Sequence, residues 1–485
     1  MTTLPFYSPV MTTNLSHPQT GSASEAAAAY VEAHYGEFLE DLKTLARIPS
    51  VSFPGFDPEQ VDRSAEAVAS LLTKRGLQNV EALRMPGAFP YVYADWLHAP
   101  GKPTLLLYAH HDVQPAGREE LWRSPPFEPT ERAGRLYGRG CADDKAGAVA
   151  HTSAIASWLQ TAGKLPVNVK VIIEGEEEIG SHNLESFLDR YASKLMADAI
   201  VLTDTGNFDH ETPSITVALR GLAALDVLVK SMDHPLHSGM WGGPTPDPTI
   251  ALAKMIAACV DGKGRMLFPG AYRGVLKPAK AMENSLQLLK YPEKVFRAQS
   301  GLNPRTKLMV PAKDILRSSW YWPSFSVNAI QASSKKDCAN IINESAWCRM
   351  GVRIVPSQDP QAVLAGLKKH LLKNAPWGVE VRFSNESASP AWATDTGAPA
   401  FDAARKALRK GYGRQAVEMG CGGSIPFVGP FAKALRGVPA LLIGVEDPLS
   451  NPHSENESLH MEMFRKAIAA AAHLYGEIAA LESVK

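Results

Sequence analysis

The sequence lacks an excess of charge of either sign: 50 Lys plus Arg balance 50 Asp plus Glu. No net field therefore draws the chain to nucleic acid or to an anionic membrane, and neither is expected as a partner. It also lacks paired cysteines. Cys141, Cys259, Cys338, Cys348 and Cys421 form no C-x-x-C motif, and an odd, scattered set suits thiols in a reducing compartment better than a disulfide framework. No apolar run approaches the roughly 18 residues of a membrane helix, and no basic stretch opens into a signal-type apolar segment. Met1 to Ser24 is instead rich in Thr, Ser and Pro and reads as a mobile leader. Internal repeats and low-complexity tracts are absent too. A cytoplasmic protein is the expectation.

What is present is enough chain, 485 residues, for two or more domains. Ser22 and Glu25 have capping-box spacing, and Tyr30, Phe38, Leu39, Leu42 and Leu45 follow at helical intervals. Four short apolar runs, Thr104 to Ala109, Val169 to Ile173, Ala199 to Thr203 and Ala440 to Val445, read as buried parallel strands. Helical patterns accompany them at Lys145 to Thr161, Asn183 to Tyr191 and Ser458 to Leu481. The fold class is α/β, a largely parallel sheet flanked by helices.

Between about Pro213 and Glu386 the texture changes to alternating runs such as Ile215 to Leu219, Leu225 to Val229 and Ala346 to Val355, with a helix near Thr249 to Val260. This predicts a small α+β sandwich. Gly262 to Ser324, rich in Pro, Lys and Trp, is an irregular elaboration within it. Three strands of the first unit precede this block and the fourth follows it. The expected organisation is a leader (1–24), a first domain from 25–212 and 387–485, and an inserted domain from 213–386.

In open parallel sheets, ligands bind beyond the carboxyl ends of the strands. The first run leads into His110, His111 and Asp112, the second into Glu174, Glu176, Glu177 and Glu178, the third into Asp204, and the fourth, after a loop, into His453. Asp143 and Asp144 open a helix after the turn Gly138-Arg139-Gly140. Any one of these has an ordinary explanation as a cap or turn former. Together they would repel one another in a single crevice unless divalent cations intervened. Carboxylates mixed with imidazoles suit zinc first, with manganese or cobalt as alternatives. Five ligands exceed the usual three of one catalytic zinc, so two ions sharing a carboxylate and activating a water are expected. Residues i and i+2 of an extended segment share a face, which favours His110 over His111 as ligand and lets Asp112 fix its tautomer. Spacing alone does not choose between Glu176 with Glu177 and Glu177 with Glu178 as base and ligand.

These residues resemble the metallopeptidase family of carnosinases, cytosolic nonspecific dipeptidases, aminoacylases and glutamate carboxypeptidase, along nearly the whole chain. The likeness is carried by Tyr-Ala-His-His-Asp-Val-Gln-Pro at 108–115, Gly-Arg-Gly-Cys-Ala-Asp-Asp-Lys at 138–145 and Glu-Gly-Glu-Glu-Glu-Ile-Gly-Ser at 174–181. Asp204, Leu-His-Ser-Gly at 236–239, Gly-Gly-Ser-Ile-Pro at 422–426 and Pro-His-Ser-Glu-Asn-Glu at 452–457 complete it. The resemblance implies one metal on His110, Asp143 and Asp204, a second on Asp143, Glu178 and His453, and a cis peptide after Asp143. It implies Glu177 as general base and Asp112 as the group orienting His110. It makes the inserted block a lid and dimerisation domain, with His237 reaching the partner subunit's site to stabilise an oxyanion. Arg353, Gly423 and Ser424 become candidates for contacting substrate, Arg353 through its carboxylate. Where dipeptidase relatives commonly carry Arg-Glu, this chain has Gly420-Cys421. Cys141 and Cys421 themselves read as small core thiols.

The implied activity is hydrolysis of dipeptides. The Asp-Val-Gln-Pro segment and the long elaboration lean that way; removal of an acyl or succinyl group from an amino acid by the same metals is the chemical alternative. A catalytically inactive binding relative is the alternative of another class, and retention of Glu177 and of every ligand speaks against it.

Overall fold

The computed structural model describes residues 20–277, 283, 285–287, 289–336, 338–423, 425, 427–482 and 484; most of the expected leader and Ser424 lie outside them. A mixed, largely parallel sheet of nine strands forms the larger layer. At its centre Asn168–Glu174, Thr104–His110, Ala199–Leu202 and Ala440–Leu442 run parallel. Gln78–Leu83 and Tyr91–Trp96 extend it antiparallel at one side. The central strands are buried on both faces, which is why they read as unbroken apolar runs rather than alternating ones. Helices Thr20–Ala46, Lys145–Ala162, Pro399–Tyr412 and Met461–Ala479 pack together over one face. Leu184–Leu195 and Val428–Ala434 cover the other.

Two elements begin where the sequence reading did not place them. The first helix starts at Thr20, so Ser22 lies inside it rather than capping it, and the end of the expected leader is helical. Ser24 is buried there, its hydroxyl 3.3 Å from His473 Nδ1. The last helix begins at Met461 because Ser458–His460 forms a short strand beside Arg135–Tyr137.

A separate antiparallel sheet is ordered Ser324–Gln331, Ser345–Ile354, Gly221–Lys230 and Glu380–Ser389. Helices Pro248–Ala258 and Pro360–Lys373 share an apolar core with it. Each opens on Asp-Pro: Asp247 and Asp359 accept N–H groups of the first turn, while proline occupies a position whose N–H has no helical partner anyway. The strand Ser214–Leu219, expected within this block, belongs to the large sheet instead. It pairs parallel with Val417–Cys421, and all six of its residues are buried. Alternation of side-chain type hid a strand covered on both faces. The expected boundary at 386 cuts through Glu380–Ser389, whose register with Gly221–Lys230 holds the whole strand in the small sheet. The irregular stretch also carries order of its own, in helices Glu293–Ser300 and Ile315–Tyr321.

All five cysteines are unpaired. No helix among the described residues is long and apolar enough to cross a membrane.

Candidate metal centre

The parallel strands deliver their polar residues to one end of the sheet. His110 closes its strand fully buried. Its Nδ1–H donates to the Asp112 carbonyl at 3.1 Å, with the Asp112 carboxylate at 3.5 Å. With Nδ1 engaged there, Nε2 faces the other way as the atom a metal would take, and it lies 3.0 Å from Asp143 Oδ1. His111 points the other way and donates to the Pro90 carbonyl; burial pushes it down to about 4.

Asp112 does more than face His110. Its Oδ1 accepts the Glu177 N–H at 3.2 Å; its Oδ2 accepts the Glu178 N–H at 3.0 Å and the Ser52 hydroxyl at 2.7 Å. One carboxylate thus caps the short helical turn Glu177–Ile179 and fixes where both glutamates point. The remaining members of the cluster are turned away and satisfied elsewhere. Glu174 accepts from the hydroxyls of Tyr91 and Tyr108, and Glu176 from Tyr91, Asn183 and the Phe89 N–H. Of this cluster, Glu178 joins a donor group with Asp143 and His453, and Glu174 and Glu176 do not. Gln114 grips Glu178 through its backbone and side-chain amides, at 3.1 and 2.7 Å.

Asp143 sits on the loop after Gly138-Arg139-Gly140, and its peptide bond to Asp144 is cis, as the resemblance implies. The loop wraps the buried carboxylate of Glu457. Oε1 accepts the N–H groups of Ala142 and Asp143 at 2.9 and 3.1 Å, and Oε2 accepts that of Gly140 at 3.1 Å and Arg139 Nη1 at 2.6 Å. Asp144 then caps the helix Lys145–Ala162. Gly147 is required beside it, since a Cβ there would come within 2.0 Å of Thr203 Oγ1. Replacing Glu457 by Ala would leave three N–H groups without their acceptor and the Arg139 guanidinium, still bonded through Nη2 to the Pro115 and Ser454 carbonyls, without its counter-charge. A loss of roughly 3–5 kcal/mol in unfolding free energy is expected, read as a lower urea midpoint.

His453 arrives from the loop following the fourth parallel strand, in a left-handed conformation (φ +59°) and with its ring exposed. Its Nε2 lies 3.1 Å from both Asp143 Oδ2 and Glu178 Oε2. Two donor groups result, His110 with Asp143 and Asp204, and Asp143 with Glu178 and His453, each with its ligand atoms within 4.8 Å of one another. They share Asp143. Imidazole and carboxylate donors gathered in this way are a set that suits a divalent cation. The charges agree with that fit. Burial, then the neighbouring Asp143, pushes Asp204 up to about 6 and Glu178 up to about 7. Glu177 is raised well above the carboxylate range by burial and by Asp204. Burial also raises Asp143, but the imidazoles of His110 and His453 overcome it and leave that carboxyl low. Such crowding of acids is relieved by positive charge.

The other expected residues lie at the margins. His237 is exposed on the short strand Leu236–His237, and its Nδ1 accepts the Gly239 N–H at 3.1 Å, leaving Nε2 to carry the proton of the neutral ring. Among the described residues, no hydrogen bond or ion pair joins it to the metal-centre residues of its own chain. Arg353 lies near the end of the strand Ser345–Ile354. The Gly423 N–H donates to the half-buried Cys421 thiol at 3.3 Å, whereas Cys141 is fully buried. Sequence reasoning assigned no role to Glu457, Gln114, Ser52 or Arg139. Glu457, Gln114 and Arg139 stood inside the motifs that carry the resemblance, but Ser52 had no signal.

The model of peptidase family M20/M25/M40 matches residues 106–477. The cysteinylglycine-S-conjugate dipeptidase of Corynebacterium striatum is 32% identical over 381 residues, 77% of this chain and 82% of that one. The beta-Ala-His dipeptidase of Rattus norvegicus is 28% identical over 493 residues, covering 97% and 98%. The crystal structure of human carnosine dipeptidase 1 superposes with a TM-score of 0.86 at 26% identity, over 94% of this chain and 99% of that one. The chain belongs to peptidase family M20/M25/M40, on its dipeptidase branch.

Proposed function

We propose that this chain is a cytoplasmic dipeptidase using two divalent cations, zinc first, one held by His110, Asp143 and Asp204 and the other by Asp143, Glu178 and His453. The observation that carries the reading is the pair of donor groups sharing Asp143, with Glu177 beside them in neither group. Bound cations supply the polarisation that makes a water acidic near neutrality and a carbonyl electrophilic. Glu177 takes the proton of the attacking water and delivers it to the leaving amine, work that suits a carboxyl raised by its surroundings. Asp112 holds Glu177 and Glu178 in register through their N–H groups. Arg353 pairs with the substrate carboxylate, a role suited to its planar fork, while Gly423 and Ser424 border the substrate.

In this reading the unit built on the four-stranded sheet is the lid and dimerisation domain. His237 stabilises the oxyanion in the partner subunit's site, donating from the Nε2 that Gly239 leaves protonated. Exposed apolar side chains support a second copy here: Met240 and Trp241, 75% and 52% exposed, follow His237, and Ile330 lies on an edge strand. His237→Ala should lose activity, and mixing it with Glu177→Gln chains should restore it. Heterodimers carry one intact site, so about a quarter of wild-type activity is expected from random C2 pairing; no recovery on mixing would remove the cross-subunit role.

The deciding experiment is a metal-replete screen of unblocked dipeptides against N-acetyl and N-succinyl amino acids. Turnover of dipeptides alone is expected. Turnover confined to acylated substrates would replace this reading with the deacylase, and none with either would favour a binding relative.

A further inference from the structure

Arg220 is the single residue between the strand Ser214–Leu219 of the large sheet and the strand Gly221–Lys230 of the small one. Its N–H donates to the Cys421 carbonyl at 3.2 Å. Its Nε donates to the Gly422 carbonyl at 3.0 Å, and its Nη1 to the Trp322 carbonyl at 3.3 Å and the Ser324 hydroxyl at 3.1 Å. A guanidinium has five N–H donors, so these contacts leave both hydrogens of Nη2 without an acceptor among the described residues. No carboxylate there pairs with Arg220 either. Glycine at 422 keeps that edge open, since a Cβ would come within 2.9 Å of Nη2.

A clasp between the sheets uses only the Nε and Nη1 donors. The charge and the outward edge of the fork remain unexplained by it. A second cation stands close by: Arg353 is the register partner of Ser324, which Arg220 holds. Burial and the like charge of Arg353 push Arg220 down to about 10. Gly422, whose carbonyl Arg220 holds, directly precedes Gly423, which the dipeptidase reading places at the substrate.

We infer that Arg220, beside Arg353, forms an anion subsite that selects substrates with a second carboxylate on the leaving side of the scissile bond, namely dipeptides ending in Asp or Glu. The inference rests on the dipeptidase reading, in which Arg353 takes the terminal carboxylate and Arg220 takes the side-chain one. A planar fork matches a carboxylate in two parallel bonds, and an uncharged isostere would forfeit them.

The test compares Ala-Asp with Ala-Asn, near-isosteric substrates differing in charge, on the zinc-loaded enzyme. Wild type should favour Ala-Asp by roughly tenfold to hundredfold in kcat/KM, mainly through KM, and Arg220→Met should bring the ratio near one. Arg220→Lys, which keeps the charge but loses the fork, should retain part of the preference. It also serves if the Met variant does not fold, as thermal melting would show. A wild-type ratio of one or less, or an unchanged preference in the variants, overturns the subsite. If wild type hydrolyses no dipeptide, the dipeptidase reading falls instead, and calorimetry of L-aspartate against L-asparagine decides the subsite. Tighter aspartate binding that weakens in the Arg220 variants upholds it, and equal binding overturns it.

Discussion

A Glu177→Gln enzyme will keep its full complement of metal and lose roughly 10²- to 10⁴-fold in kcat. The amide is nearly isosteric with the carboxyl and lies outside both donor groups. The Asp112 contact that aims it is made through the Glu177 backbone N–H, which the substitution leaves in place. Only the capacity to accept and return a proton is lost. KM for dipeptides should stay within a few-fold of wild type, since the change acts in the transition state rather than in the ground state. Metal content by atomic absorption, measured with steady-state kinetics, checks both halves. Substantial residual turnover would remove Glu177 as the base, and loss of metal would make it a ligand.

Asp143→Ala should be more damaging, because the two donor groups share that residue. Each group falls from three protein donors to two, and the remaining Asp204 and Glu178 carboxyls lose the ions that justify their crowding. Stoichiometry is expected to drop from two metals per chain towards none, with activity at background. By contrast, His453→Ala removes a donor from one group only and should retain about one metal. Retention of two tightly held ions by Asp143→Ala would disprove the shared ligand. Thermal melting supplies an independent reading. Ions at 100 times their dissociation constant stabilise the wild type by ~2.7 kcal/mol per site, so a chelator should lower its melting temperature and leave that of Asp143→Ala almost unmoved.

Much of the centre was legible because its residues follow strand ends. Each of Thr104 to Ala109, Val169 to Ile173 and Ala199 to Thr203 is an apolar run with a sharp polar terminus, and parallel pairing brings such termini to one edge. The structure gathers His110, Asp143, Glu178, Asp204 and His453 accordingly. The identity of the second glutamate was not legible. It depends on Asp112 reaching the N–H groups of Glu177 and Glu178, and on Tyr91 and Asn183 engaging Glu176. Nor was the role of Glu457, whose partner at Asp143 lies 314 residues away and leaves no periodic trace. The strand Ser214–Leu219 was assigned to the wrong sheet for a related reason, since its neighbours Val417–Cys421 and Ala440–Leu442 come from the far end of the chain.

Asp112 touches a member of each donor group and the proposed base, through His110, Glu178 and Glu177. In a double-mutant cycle these residues should therefore behave as one unit. Once Asp112→Asn has disturbed the aim of the others, adding Glu177→Gln should cost far less than the two single losses combined. Evolutionary drift at any of these positions is constrained by the rest. A change tolerated alone would need its compensating partner within this short list of neighbours, not elsewhere on the sheet.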